Sequence, residues 1–264
     1  MVETCAVTAI AQLRRVRATR YVTPLREGGS LPGLVEADDD GLYVAKFRGA
    51  GQGLRALIAE VIVGELIREA GLTIPELVAL DLDPRLGAAE PDPEIQELIE
   101  SSGGLNLGVD FLPGALPYTA GDDVQPDPES AAEIVWLDAL CTNVDRTARN
   151  PNMLRWHDRL WLIDHGAALY LAHGGLDPAA QAERAFPMIA DHVLLAGAGS
   201  VADAGARLRA GRVTDEAIAR AVALVVPEWW ADVDPPDVYV EYLTRRLAWG
   251  GFAEEADRAR GGRD

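Results

Sequence analysis

The sequence predicts an α+β fold in two parts, a small antiparallel sheet with one helix followed by a mainly helical half. Three observations lead there. Short apolar runs separated by glycine and aspartate turns crowd residues 20–47. One long apolar helix follows them, and a proline- and acid-rich connector then precedes a helix-rich remainder. With 264 residues, 48% of them hydrophobic, the chain can build a sizeable core, as one large domain or as two lobes. The expected division is 1–115 and 116–264.

The elements follow in order. "RYVTPLREGGSLPGLVEADDDGLYVAKFRG" reads as three strands, Arg20 to Leu25, Leu31 to Glu36 and Leu42 to Phe47, joined by the turns REGGS and ADDDG. Lys46 falls near the end of the third strand, across from the turn Gly28-Gly29-Ser30. Backbone N–H groups of a glycine turn can approach a phosphate closely, and a lysine beside them adds positive charge. A Gly-Gly-Ser hairpin alone is usually only a turn. Lys46 is also the single lysine among 24 basic residues, where a slim point charge stands in place of a planar fork.

"GLRALIAEVIVGELIREAGL" predicts a helix of about seventeen residues ending at Gly71, apolar nearly all round and so packed on several sides. Glu60 and Glu65 interrupt it. A carboxylate on a buried helix needs a cation, and Lys46 can supply one. Spacing leaves open which glutamate does so, since residues five apart lie on different faces. The stretch from Asp81 to Ser130 is irregular, with a short element near Glu94 to Glu100 and a strand in "LNLGVDF". Ser130 to Cys141 is an apolar helix that Ser130 or Asp127 can cap. "NVDRTARNPNMLRW" then runs into a strand pair, Met153 to Trp156 and Leu160 to Ile163, and "ADHVLL" is expected to open a packed helix with Asp191 as its cap.

Composition narrows the function. A net charge of -18 argues against a bulk electrostatic grip on nucleic acid or an anionic membrane. Cys5 and Cys141 suggest neither a disulfide framework nor a zinc cluster. The first twenty residues make a poor signal peptide, and no apolar run reaches the roughly 18 residues of a membrane span. A soluble, cytoplasmic protein is expected.

The order glycine hairpin, strand lysine, helix glutamate, connector, helix, "NVDRTARN", strand pair, "LIDHG" resembles the protein-kinase-like superfamily, and within it most closely the HipA-like kinases, over roughly Arg20 to Leu171. "EVIVGELIREAGLTIPEL" resembles the glutamate helix of that family. Phosphoinositide-type lipid kinases are a more distant likeness. The resemblance implies a two-lobed protein-kinase-like fold, with a nucleotide-binding N-lobe and a C-lobe carrying the catalytic loop. It implies an ATP- and Mg2+-dependent phosphotransferase acting on a hydroxyl of a protein or small molecule.

It also implies roles. Lys46 would hold the α- and β-phosphates, placed by Glu60, with Gly28, Gly29 and Ser30 beside them. Asp145 would accept the proton of the attacking hydroxyl, and Asp164 would be the main metal-bridging carboxylate. Asn150, five residues after Asp145, would hold the metal through its amide oxygen, with Asn152 as its competitor. Phosphoryl transfer asks mainly for such positioning and charge. Two departures stand out. Thr147 occupies a place where relatives often have histidine, and His165 follows Asp164 where an apolar residue is common. No long activation segment and no helix-turn-helix is evident.

Two other classes are weighed against this one. A degenerate, nucleotide-binding pseudokinase acting through partners is suggested by Thr147. A metal-dependent phosphohydrolase could use His157, Asp158, Asp164, His165 and His173, although their spacing matches no familiar metal motif.

Overall fold

The computed structural model describes residues 12–25, 31–51, 53–121, 124–170 and 177–262. The expected turn Gly28, Gly29 and Ser30 lies outside the described residues, as does His173. The first strand, β1 (Arg14–Pro24), starts earlier than the pattern suggested. β2 (Gly33–Ala37) and β3 (Leu42–Lys46) follow as antiparallel neighbours. Helix α1 (Leu54–Glu69) is closed by Gly71, whose φ of 83° is the left-handed geometry glycine adopts freely.

After α1 the structure departs from expectation. Leu77–Leu82 is a full strand, β4, and it pairs antiparallel with β5 (Gly104–Asp110) and parallel with the first part of β1. The sheet therefore closes on itself in the order β1-β2-β3-β5-β4. The antiparallel reading is corrected at one seam, because the additional length of β1 reaches β4 with Arg14 opposite Val78. The one-helix reading is corrected too, since α2 (Pro93–Ser101) lies between β4 and β5, capped by Asp92.

Alternation along the strands sorts their side chains between two cores. Val16, Val35, Tyr43, Ala45, Val78 and Leu80 fill the interior of the sheet with Ile95 and Ile99 from α2. Leu77, Ala79, Leu107 and Val109 face α1, whose residues from Leu57 to Val63 are all buried. Period two places Lys46 on the α1 side, one residue beyond inward-facing Ala45.

The rest is largely helical, except for β6 (Leu116–Pro117) and the hairpin β7 (Met153–Trp156) and β8 (Arg159–Leu162). Helix α3 (Pro128–Leu140) is the buried axis of this part. Asp127 caps it, accepting hydrogen bonds from the backbone N–H groups of Glu129 and Ser130 at 2.9 Å. α5 (Val201–Arg209), α7 (Pro236–Trp249) and α8 (Gly251–Gly261) pack on it, while α4 (Pro178–Ala182) packs on α7, and α6 (Asp215–Ala223) on α7 and α1. "ADHVLL" opens no helix. Asp191 ends a short 3-10 turn, and His192 is buried beyond it. Among the described residues no helix is long and apolar enough to cross a membrane.

Candidate active site

Three distant segments converge where the closed sheet meets the β7–β8 hairpin. Lys46 comes from β3, Glu60 from the middle of α1, and Asp164 from two residues after β8. Lys46 Nζ pairs with Glu60 Oε1 and, at 2.7 Å, with Asp164 Oδ1. Burial pulls the Lys46 ammonium toward losing its proton, but the two carboxylates outweigh it and its pKa is raised. Burial pushes the Asp164 carboxyl up, yet Lys46 more than reverses this and holds it below the usual range. Glu65 does not join the cluster and pairs with Arg68.

Gly166 completes this corner. Its N–H donates to Glu60 Oε1 at 2.8 Å, and a Cβ there would stand 3.2 Å from the same oxygen and 3.3 Å from Ala56 Cβ. The backbone approaches the carboxylate so closely because no side chain intervenes. Asp164 itself has φ 56° and Asn152 φ 50°, left-handed conformations that side-chain-bearing residues hold only when their surroundings compel them.

Asp145 lies in the loop after α3. Its carboxylate Oδ2 accepts from Asn150 Nδ2 at 2.8 Å and from Asn152 Nδ2 at 3.2 Å. The two asparagines differ in setting. Asn150 is exposed. Asn152 is 8% exposed, and its amide also reaches the backbone oxygens of Asp145 and Asp164, at 3.5 and 3.4 Å. Asn152 thus stands between the two aspartates, and Asn150 touches only one of them.

Beneath the loop is a buried polar cluster that inspection of the sequence missed. Asp138 on α3 accepts from Arg146 Nε at 2.6 Å, from His192 Nε2 at 2.9 Å and from Asn143 Nδ2 at 2.8 Å. Leu194 N–H donates to His192 Nδ1, so the ring proton sits on Nε2, facing Asp138. Arg146 also donates to the carbonyl oxygen of Asn152 and, at 3.1 Å, to His165 Nδ1. One guanidinium therefore joins α3, the Asp145 loop and the residue after Asp164. Burial opposes the charge on Asp138, but Arg146 and His192 prevail and its carboxyl is held far below the usual range. A signal existed in "IVWLDAL", where an acid interrupts an apolar helix as Glu60 does. Thr147 lies on the same network, its backbone bridged to His192.

His157 and Asp158 form the β7–β8 turn with φ 47° and 58°. His165 is turned toward Arg146, with its Nδ1 3.1 Å from Arg146 Nη2, while His157 belongs to the β7–β8 turn. Among the described residues no group of three or more His, Cys, Asp or Glu side chains is placed to hold a metal.

A cavity of about 750 Å³ opens beside the Lys46–Asp164 pair. Val44, Leu77, Val109, Met153 and Leu162 give it apolar walls, Phe111 and Leu112 line one edge, and Asn150 and Asn152 lie at the polar end. Its size and mix of apolar wall with convergent polar groups are those of a small-molecule site.

The comparisons with known proteins fit this geometry. A family model described as HipA-like kinase matches residues 19–194. Among solved structures, a Helicobacter pylori proinflammatory kinase, CtkA, is similar with a TM-score of 0.51 at 13% identity, over 92% of this chain and 96% of that one. The Golgi casein kinase with Mn/ADP bound gives a TM-score of 0.50 at 14% identity, over 95% of this chain and 74% of that one. At such identities the likeness is one of fold. A search of curated proteins finds no match.

Proposed function

The chain belongs to the HipA-like kinase family, and on that premise we propose that it transfers the γ-phosphate of ATP, with Mg2+, to a hydroxyl group. The observation that carries this reading is the meeting of Lys46 and Asp164, 118 residues apart in sequence, at the polar end of a nucleotide-sized cavity. In this reading the division at 115/116 separates two lobes, with the closed sheet, α1 and α2 in the first and the Asp145 loop and helices in the second.

The residues present fit both groups. Hard divalent cations take oxygen ligands, and Asp164 with an asparagine amide oxygen supplies them. The setting favours Asn152 over Asn150, reversing the preference that the spacing from Asp145 suggested. Magnesium, when bound, would supply charge neutralisation between phosphate oxygens. Lys46 supplies a fixed ammonium at the phosphates, and Glu60 with the Gly166 N–H holds it in place. Asp145 accepts or orients the proton of the attacking hydroxyl, steadied by the two asparagine amides. The apolar walls from Val44 to Leu162 suit a purine ring, and they keep water from the phosphates.

The test uses the solitary lysine. An amine-reactive acyl-phosphate analogue of ATP is expected to label Lys46, with the α-amino group of Met1 as competitor, separated by peptide mapping. Excess ATP with Mg2+ should suppress the Lys46 label. Lys46→Arg should lose nucleotide affinity or turnover, because a guanidinium cannot occupy the point between Glu60 and Asp164. Equal labelling with and without competing ATP, or full activity in Lys46→Arg, refutes the proposal.

A further inference from the structure

The two residues proposed to hold the metal share an uncommon backbone. Asn152 and Asp164 both lie in the left-handed region, with φ 50° and 56°. Neither is glycine, so each conformation is strained and persists only where neighbouring contacts hold it. Those contacts meet at one side chain. Arg146 Nη1 donates to the carbonyl oxygen of Asn152, and its Nη2 lies 3.1 Å from His165 Nδ1, on the residue that follows Asp164. Arg146 is itself anchored on α3, with Nε 2.6 Å from Asp138 Oδ2. A guanidinium is a rigid planar fork, so it sets the spacing of whatever its two ends bind. Two more contacts join the same segments. Ile163 N–H donates to the Asn152 oxygen at 3.0 Å, and Asn152 Nδ2 reaches the Asp164 oxygen at 3.4 Å.

We infer that Arg146 and His165 are a positioning pair, whose hydrogen bond holds Asn152 and Asp164 in their left-handed conformations before a divalent cation arrives. The inference rests on the phosphotransferase reading, which gives those two residues a metal to bind. In this contact His165 can only accept. Arginine has N–H donors and no acceptor, so His165 Nδ1 offers its lone pair and the ring proton sits on Nε2. An apolar side chain at 165, common in relatives, would remove the acceptor that faces Nη2, and Arg146 is buried where water cannot replace it. The departure at position 165 and the buried guanidinium are thus two halves of one device. Its effect falls on metal affinity, because a cation that meets ligands already in place loses nothing to ordering them. Both residues act through the backbones of the ligands, Arg146 at the Asn152 carbonyl and His165 through its peptide bond to Asp164.

The test varies Mg2+ at fixed ATP and reads the protection of Lys46 from the acyl-phosphate reagent, with turnover as a second readout. His165→Phe keeps a flat ring and removes the acceptor. It should raise the Mg2+ concentration for half-maximal protection by about tenfold or more, with protection still complete at saturating Mg2+. His165→Asn restores an acceptor near the place of Nδ1 and should stay within about threefold of the parent. Turnover should split in the same way, the apparent KM for Mg2+ rising in His165→Phe while kcat recovers at saturation. A merely structural ring would lower Tm and leave the Mg2+ requirement alone. Should His165→Phe show no cooperative melt, Arg146→Lys answers in its place. It keeps a charge beside Asp138, but one ammonium lacks the fork that spans Asn152 and His165, so the same rise is expected. An unchanged Mg2+ requirement in the folded variant overturns the inference. So does an equal rise in His165→Asn, or protection of the parent that needs no Mg2+. A parent that ATP with Mg2+ does not protect at all is a separate result, which removes the phosphotransferase reading itself and this inference with it.

Discussion

Acidification should destabilise this protein through His165, and the size of the effect follows from its surroundings. The ring is buried, and burial, with the guanidinium of Arg146 next, pushes its pKa down to about 3 from 6.5. Lys46 adds to the depression, while Asp138 and Asp164 work against it. Above 6.5 the ring is neutral folded or unfolded and contributes nothing to the pH dependence. Below 6.5 the unfolded chain binds a proton that the folded chain refuses, so stability falls as pH falls, down to about 3, where the folded ring also accepts it. The slope approaches about 1.4 kcal/mol per pH unit, so moving from about pH 7.5 to about pH 5 costs about 2 kcal/mol. For a chain of this size that is about 4–8 °C in Tm. Other groups titrate over the same range, so the informative quantity is a difference. His165→Asn keeps an acceptor for Arg146 but cannot titrate, and by differential scanning fluorimetry it should lose about 4–8 °C less than the parent over the same interval. Losses that agree within about 1 °C would refute the reasoning.

Three further outcomes are expected. Asp138→Ala leaves Arg146 and His192 buried without their shared carboxylate and should cost about 3–5 kcal/mol, read as a lower Tm, with Asp138→Asn costing less; unchanged melting would remove Asp138 from its central place. Asn152→Ala should reduce turnover at saturating Mg2+ by about 10–100-fold and Asn150→Ala by clearly less, and the opposite ranking would return the metal to Asn150. Asp145→Ala should lower transfer by at least about 100-fold while ATP still protects Lys46 from labelling, and loss of that protection would make Asp145 a structural residue or a metal ligand.

Much of the framework was legible because its signals are local. Period-two patterning located β2 and β3, the apolar run closed by glycine located α1, and the apolar run from Ser130 located α3, which starts at Pro128 with Asp127, one of the two expected caps, before it. The charge rule for buried helices led from Glu60 or Glu65 to Lys46, the resemblance favoured Glu60, and in the fold Lys46 contacts Glu60 while Glu65 pairs with Arg68. What went unread depended on partners distant in sequence. "LVALDL" carries too little alternation to distinguish a strand from the end of a connector. It becomes β4 because β1 and β5 flank it on both edges. Asp191 looked like a cap, but tertiary packing instead places His192 under Asp138 and leaves only short turns around it.

By itself the sequence determined which residue types were present for phosphate chemistry and in what order, since composition, turn residues and hydrophobic period are properties of short stretches. Its spacing favoured Asn150 over Asn152 for the metal, although both lie within reach of Asp145 along the chain. Tertiary structure separated them by burial and by the carbonyl oxygen of Asp164, which is twelve residues from Asn152 in sequence and 3.4 Å from its amide in space. The Arg146 hub and the cavity beside the Lys46–Asp164 pair likewise come from packing alone. Buried charges must find partners wherever the fold brings them, and no spacing rule along one chain encodes that meeting.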